Sequence, residues 1–229
     1  MAELPDCDEV LRLFESTREL AKSLNVRMSF HPDQFVVLDS PRSDVVNRSI
    51  LEFEHQAEVA SWIGADVVNI HGGGAYGDIQ AALQVFARNL NRLSDGARNL
   101  LTVENDEVTY TPADLLQLCR SEGIPLVYDV HHHRCNRDDL SIAEATDQAI
   151  DTWNRQPVFH ISSTLEGWNG PPPRRHHDFI KLRDFSDQWQ DYALTVEVEA
   201  KAKELAVLKL MRALQRRRQR KKVSSRIPG

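Results

Sequence analysis

The stretch that decides the fold is IPLVYDVHHH (124–133), a short apolar run that ends on Asp129 and three histidines. Its apolar residues are nearly continuous, which is typical of a strand buried on both faces, as the strands of parallel sheets are. Side chains that bind metals follow the run directly. The segment therefore predicts both a parallel sheet and a site at the end of one strand.

Five further segments share this pattern, and helical patterns separate them. The predicted strands lie at 26–32, 66–71, 99–106, 124–132, 157–163 and 193–200, and the predicted helices at 8–24, 44–63, 78–95, 112–121, 141–154, 178–190 and 201–218. Thr111 before Pro112, and Ser141, are typical of helix N-caps. Regular alternation favours parallel pairing through right-handed crossovers. The sequence thus predicts an α/β fold, a TIM (β/α) barrel with six of the eight βα units.

Composition favours a single soluble domain with a basic end. The 229 residues are 41% hydrophobic, and no apolar run approaches the roughly 20 residues that span a bilayer. Three cysteines without CxxC spacing, and no signal peptide, favour the reducing cytoplasm and no membrane partner. Nine of the 28 Lys and Arg residues follow residue 208, where no acidic residue occurs. We expect a barrel domain over 8–218 and a basic tail over 219–229, which suits a polyanionic partner.

Each predicted strand carries a side chain of metal-ligand type near its carboxyl end, where the active sites of parallel barrels are assembled. These residues are His31, His71, Glu104, Asp129, His160 and Glu199. Imidazole and carboxylate ligands without thiolate suit Mn, Zn, Fe or Co and disfavour Ca and Mg. More than four candidates favour a cluster of two or three metals, of the kind that assists phosphoryl displacement.

Several neighbouring residues have two interpretations. The spacing from Asp129 favours one main ligand among the three histidines at 131–133, with the others supporting it or facing solvent. Cys135 is either a soft ligand or a partly buried thiol, and at least one of His176 and His177 could fold back over the metals. HGGG (71–74) lacks the spacing of a phosphate-binding loop, and we interpret it as tight packing beside the site.

At these residues the sequence resembles the UV damage endonuclease (UVDE) family, relatives of endonuclease IV among the xylose-isomerase-like TIM barrels. The matching stretches are HPDQF (31–35), NIHGGG (69–74), TVEND (102–106), YDVHHH (128–133), FHISS (159–163), RRHHDFI (174–180) and VEAKAKE (198–204). They occur in the family's order between about residue 8 and residue 210. Together they are highly specific, although each alone is weak.

The resemblance implies a metal-dependent DNA repair endonuclease that nicks damaged double-stranded DNA immediately 5′ to ultraviolet photoproducts. It implies two to three divalent metals, manganese first and zinc as the alternative. The implied ligands, which are also the catalytic residues, are His31, His71, Glu104, Asp129, His132, His160, His176 and Glu199. Gln34 and Phe35 stand where the family inserts Gln and Tyr into DNA at the lesion. Arg174 and Arg175, with Trp168 and Asn169 of the same loop, are expected to contact the DNA.

The chain departs from the family at two points. Val158 occupies the position of a metal-bridging lysine, so the resemblance leaves the number of metals at two or three. The family's first two strands have no counterpart before Val26, so we expect a barrel truncated at its N-terminal side. Such a sheet has two open edges, through which oligomers are expected.

Two other functions compete with the endonuclease. A sugar isomerase or epimerase of the same superfamily would need a lysine or carboxylate base beside an open metal pair and no loop that enters DNA. A catalytically inert truncated barrel would bind DNA through its tail, or bind nothing. HPDQF and the Arg-containing loop argue against the first, whereas Val158 and the missing strands favour the second.

Overall fold

The computed structural model describes residues 6–171 and 175–224, and it contains six parallel strands that pair in the order of the chain. The strands are β1 (Ser29–Phe30), β2 (Val67–His71), β3 (Leu101–Glu104), β4 (Leu126–Asp129), β5 (Val158–Ile161) and β6 (Thr195–Val198). Each pairs in parallel with the next. The sheet curls into part of a TIM barrel, which confirms the predicted fold class.

Eight α-helices and two short 3₁₀ helices complete the described chain. The α-helices are α1 (Cys7–Ser23), α2 (Ser43–Ile63), α3 (Ile79–Leu90), α4 (Asp95–Leu100), α5 (Pro112–Glu122), α6 (Val130–Cys135), α7 (Ile142–Ile150) and α8 (Glu204–Ser224). Thr111 and Ser141 both form capping boxes, with Asp114 and Glu144 respectively, which confirms the two predicted N-caps. None of the described helices is long and apolar enough to cross a bilayer.

The structure differs from the predicted elements in four places. The helix expected over 178–190 is wrong, because the segment forms only the 3₁₀ helices Leu182–Asp184 and Asp187–Asp191. The strand expected to reach residue 132 ends at Asp129, since α6 begins at the next residue. The helix expected over 78–95 is shorter and is followed by α4, which takes the first residues of the predicted third strand. Helix α8 continues past residue 219, where the basic tail was expected to begin.

The hydrophobic core lies between the sheet and the helices that surround it. Phe159 of β5 is fully buried, and its ring lies 5.6 Å from Tyr128 and 5.4 Å from Trp189. Phe53 of α2 and Phe86 of α3 are also fully buried. Each such side chain stabilises the fold by about 1.5–3 kcal/mol relative to exposure. Because the core holds the strands rigidly, their carboxyl ends have fixed positions.

The edge strands β1 and β6 contact each other through side chains. Arg27, just before β1, donates to Thr195 Oγ1 at 3.0 Å. Ser29 of β1 donates to Glu197 Oε1 at 2.5 Å. Arg27 also binds both carboxylate oxygens of Asp66, at 2.9 and 2.7 Å. These bonds bring the two edges of the curled sheet together, although no backbone ladder joins them within the described chain.

Exposed apolar side chains lie on the helices next in sequence to the two edge strands. On α1, Leu20 is 58% exposed, and Leu24 directly after the helix is 64% exposed. On α8, Leu208 and Met211 are 47% and 52% exposed. Oligomerisation through the open edges stays a prediction, and these exposed side chains support it.

We expect Arg27→Ala to lower the free energy of unfolding by about 1–2 kcal/mol, because it removes hydrogen bonds that join β1 to β6 and to the turn before β2. Thermal or urea unfolding followed by circular dichroism would measure the loss. Arg12→Ala is the matched control, since Arg12 pairs with Glu9 on the exposed surface of α1, where an ion pair contributes at most about 1 kcal/mol. Equal stability of the two variants would show that the edge contacts do not hold the sheet.

Candidate metal centre

The register of the sheet brings the ligand-type residues of neighbouring strands side by side. His71 of β2 pairs with Glu104 of β3, and Asp129 of β4 pairs with His160 of β5. His31 follows β1 directly, as Glu199 follows β6. All six strands therefore direct a histidine or a carboxylate toward the same end of the sheet.

Glu104 is the centre of this cluster, and its side chain is completely buried. One oxygen accepts a hydrogen bond from Asn69 at 2.5 Å and lies 3.2 Å from His31 Nε2. The other oxygen lies 3.2 Å from His160 Nδ1 and 3.3 Å from His132 Nδ1. Burial alone would raise the pKa of Glu104, but the neighbouring imidazoles, His160 first, hold it well below its usual range. The residue is therefore a buried carboxylate among three histidines.

His160 has carboxylates on both sides of its ring. Its Nδ1 lies 3.2 Å from Glu199 Oε1, and its Nε2 lies 3.3 Å from Glu197 Oε2. Burial would lower the pKa of His160, yet the charge of Glu104 and bonds to the other carboxylates raise it well above its usual value. Glu197 is not among the residues predicted from the sequence. The sequence did carry a signal for this residue, because side chains two positions apart in a strand, such as those of residues 197 and 199, lie on the same face of the sheet.

His132 extends the cluster toward the loop after β5. It lies 3.8 Å from Asp129 and 3.5 Å from Glu107. His176 folds back as one of the two histidines was expected to do, and its Nδ1 lies 3.7 Å from Glu199. Although burial would lower the pKa of His132, the negative charges around it, Asp129 first, raise it well above the usual value.

Seven of the eight predicted ligands fall into three overlapping groups. Within each group, the ligand atoms lie within 4.8 Å of one another. The groups are His31, Glu104, His160 and Glu199; His132, His176 and Glu199; and Glu104, Asp129 and His132. The eighth residue, His71, lies beside them, with its ring centroid 5.2 Å from that of His31 and 5.9 Å from that of His132. None of these groups within the described chain includes Cys135, which is partly buried.

The other two histidines of the 131–133 run, expected either to support the ligand or to face solvent, are both buried, so the solvent-facing alternative is wrong. His133 bridges Tyr128 and Asp138, at 2.7 and 2.9 Å. The His131 ring lies 5.1 Å from His176 and 5.3 Å from Trp168. Only His132 of this run therefore belongs to the candidate ligand groups.

The donor atoms of the cluster suit a divalent transition metal. Imidazole nitrogens and carboxylate oxygens surround the site, and two of the buried atoms, His71 Nδ1 and Asp129 Oδ2, have no hydrogen-bond partner in the described chain. A buried polar atom without a partner costs about 1–3 kcal/mol. Metal ions held by the cluster would give buried atoms of this kind a partner, so the donor atoms present fit a metal.

The loop over residues 31–40 carries the two predicted lesion contacts, Gln34 and Phe35. Both side chains are exposed, Phe35 by 76%. The Asp33 side chain accepts a bond from the Phe35 backbone N–H at 3.1 Å, and the next residue, Val36, is buried. This turn presents the ring of Phe35 outward beside the cluster that His31 begins.

The long loop after β5 carries the remaining predicted contacts. Arg175 forms an ion pair with Glu166, and Arg174 lies outside the described residues. Trp168 donates to the buried Asp184 carboxylate at 3.0 Å, and Arg134 stacks on its ring at 5.5 Å. Asn169 of this loop is exposed. Trp168 thus packs against His131, whose ring lies next to those of His132 and His176, while Arg175 stays 59% exposed.

A buried carboxyl group, Asp39, anchors the 31–40 loop to the segment after β2. Tyr110 donates to Asp39 at 2.9 Å and to the Gly74 carbonyl at 3.2 Å. Gly73 has a φ of +104°, and a Cβ there would overlap the Asp39 carboxyl group, which confirms tight packing of HGGG. Burial raises the pKa of Asp39 to about 7, although the bond from Tyr110 opposes the shift.

This pKa predicts that the contribution of Asp39 to stability falls as pH rises. A carboxyl group whose pKa is raised on folding stabilises the fold fully below its unfolded pKa of about 4, and the stabilisation is lost through about pH 7. We expect the melting temperature of Asp39→Asn, relative to the original protein, to increase between pH 5 and pH 8. The exposed Asp95→Asn is the control, and a difference independent of pH for Asp39→Asn would contradict the argument.

Comparison with known proteins agrees with this arrangement. The family model described as UV-endonuclease UvdE matches residues 8–228. The UV DNA damage endonuclease of Bacillus velezensis is 35% identical over 209 residues, which are 85% of this chain and 64% of that protein. The chain therefore spans less than two thirds of that relative's length.

Solved structures show the same fold. The crystal structure of SacUVDE superposes with a TM-score of 0.84 at 26% identity, over 91% of this chain and 72% of that one. Endonuclease IV from Thermus thermophilus (TM-score 0.68, 18% identity, 93% and 83% of the two chains) and the E. coli 3-keto-D-glucoside 4-epimerase (0.64, 11%, 88% and 85%) share the fold alone. The match of the family model over nearly the whole sequence places this chain in the UV-endonuclease UvdE family.

Proposed function

We propose that this chain forms the metal-dependent active site of a DNA repair endonuclease that cleaves damaged double-stranded DNA 5′ to ultraviolet photoproducts. The observation that carries the proposal is the buried Glu104 among His31, His132 and His160, on the barrel of this family. The proposed place of action is the cytoplasm, on the basis of the cysteine pattern. The domain is proposed to span 8–218, with the basic tail from 219 supporting contact with DNA.

The charge of the site supports a need for cations. Glu104, Asp129, Glu197 and Glu199 gather around the histidines, and a phosphate group of DNA would meet this negative field. The carboxylates repel the phosphates of DNA, so an anionic substrate approaches such a site only when cations neutralise it. We propose two to three divalent ions, Mn²⁺ first and Zn²⁺ as the alternative, held by the eight predicted ligands.

When bound, such ions would supply Lewis-acid stabilisation of the charge that develops on the phosphate during hydrolysis. The protein's own part is to fix the ligands. Asn69 holds one oxygen of Glu104 at 2.5 Å, and Thr102 orients Asn69 through a 3.0 Å bond. The side chain of Asn105 donates through Nδ2 to the Asp129 carbonyl and accepts at Oδ1 from the Asp129 backbone N–H, each at 3.0 Å. These bonds pre-organise the site before substrate arrives.

The exposed side chains around the cluster support recognition of a damaged duplex. Phe35 is a planar apolar group on an anchored turn, and insertion of such a group between bases offsets unstacking that a lesion has already weakened. Gln34 next to it supplies a polar edge. Arg175 would exchange Glu166 for a phosphate, and Arg174 is proposed to join it.

The metal content tests the centre itself. We expect purified protein to hold at least one transition-metal ion per chain, and two at full occupancy. Plasma mass spectrometry after growth with added Mn and Zn would measure the content. Glu104→Ala and His71→Ala should remove most of the metal while circular dichroism changes little. His55→Ala, on the exposed face of α2, is the control for loss of an imidazole. A protein without metal under these conditions would contradict the centre.

A nicking assay tests the substrate. We expect ultraviolet-irradiated duplex to be cut 5′ to the lesion in Mn²⁺ while unirradiated duplex stays whole. Phe35→Ala should lower cleavage about 5- to 150-fold, because stacking on a base contributes about 1–3 kcal/mol. Leu51→Ala, which removes another exposed apolar side chain on α2, should leave cleavage unchanged. Binding should weaken steeply with salt, because phosphate contacts release counterions.

The same assay separates the competing functions. Turnover of ketoses without nicking would support the isomerase or epimerase. DNA binding that survives removal of metal, without any cleavage, would support the inert barrel that binds through its basic end.

A further inference from the structure

We infer that Glu197 is a positioning residue for the metal centre: it accepts the Nε2 proton of His160 and so directs the Nδ1 lone pair of His160 at a metal. The inference rests on the proposed metal centre and deepens it. Glu197 belongs to none of the candidate ligand groups of the described chain, and it acts through His160.

The geometry gives the two ring nitrogens of His160 different surroundings. Nδ1 faces Glu104 and Glu199, at 3.2 Å each, inside a group whose ligand atoms could share one ion. Nε2 faces away from that group, toward Glu197 Oε2 at 3.3 Å. His160 is 1% exposed, so water does not compete with Glu197 as a hydrogen-bond partner of Nε2.

Glu197 stays in this place because two strands hold it. It pairs in register with His160 across β5 and β6, which sets both side chains on the same face of the sheet. Its second oxygen accepts a bond from Ser29 of β1 at 2.5 Å. Each carboxylate oxygen thus has one partner, and the group is fixed between the two edge strands.

An imidazole that binds a metal through one nitrogen is neutral and carries its one proton on the other nitrogen, whose hydrogen-bond partner decides which nitrogen that is. A carboxylate can only accept, so Glu197 selects the tautomer with the proton on Nε2 and leaves Nδ1 able to bind a cation. His31 shows the opposite choice by the same rule: its Nδ1 lies 3.1 Å from the Pro32 carbonyl, and its Nε2 faces Glu104 at 3.2 Å. Carboxylate partners of this kind orient the ring and raise its basicity toward a metal.

Val158 makes this role specific to Glu197. It precedes His160 by two residues on β5, so it shares the face of the sheet on which His160 lies. It is 1% exposed and offers no polar atom beyond its backbone. The acceptor for Nε2 therefore comes from the neighbouring strand β6.

Zinc binding tests the inference, with Zn²⁺ as a diamagnetic probe in competition with a chromophoric chelator. We expect Glu197→Ala to weaken Zn²⁺ binding about 10–100-fold, since loss of such an outer partner has this effect in other sites. Glu197→Gln, which keeps a neutral acceptor and the shape, should weaken binding less and guards against a failure of Glu197→Ala to fold. Ser29→Ala should shift the affinity in the same direction by a smaller factor. The exposed Glu58→Gln is the control and should bind as the original protein does.

Nitrogen-15 NMR of the histidine rings in the zinc-loaded protein gives a second readout, with the His160 signals assigned by their loss in His160→Gln. We expect the proton on Nε2 and the metal on Nδ1. A metal on Nε2, or unchanged affinity in both Glu197 variants, would overturn the positioning role. Lower thermal stability of the metal-free variants without a change in affinity would also overturn it, since that marks a purely structural residue. An original protein that takes up no Zn²⁺ would instead overturn the metal centre and this inference together.

Discussion

The burial of one carboxylate, Glu104, is the constraint on which this end of the barrel depends. Removing an ionised carboxylate from water costs several kcal/mol even after the protein relaxes, so the charge needs close partners. Asn69 and three imidazoles surround it at 2.5–3.3 Å, and they come from β2, the loop after β1, the start of α6, and β5. Four parts of the chain must therefore meet at one point. The hydrophobic core fixes the relative positions of these parts, and the buried charge requires that they meet.

Much of the fold could be predicted because it rests on local signals. Buried strands such as Val67–His71 show continuous apolar runs, and the capping boxes at Thr111 and Ser141 are visible as short motifs. The segment 178–190 has an apolar periodicity that suggests a helix, but its bonds go elsewhere. Ser163 accepts from the Lys181 backbone and donates to Asp184, and such contacts compete with a helical ladder. No local pattern reveals a partner that lies some 20 residues away.

The candidate site could be predicted to the extent that each strand carries a ligand-type residue at its carboxyl end. What the sequence does not reveal is which side chains meet across strands that are distant in the chain. Ser29 and Glu197 are separated by 168 residues, and their contact depends on how tightly the sheet curls. Endonuclease IV and a sugar epimerase share this barrel, so the fold positions a site without deciding its chemistry.

The anchoring of the 31–40 loop by Asp39 and Tyr110 has a consequence for how damage would be found. Ordering a loose segment at the moment of binding costs about 1–2 kcal/mol for each residue, and a loop already fixed by buried bonds avoids that cost. For the proposed endonuclease, the deformation then falls on the DNA and not on the protein. Pyrimidine–purine steps open easily, whereas A-tracts are stiff. Repair would accordingly be uneven along a genome: faster where the base-pair steps beside a lesion deform easily, and slower where those steps are stiff.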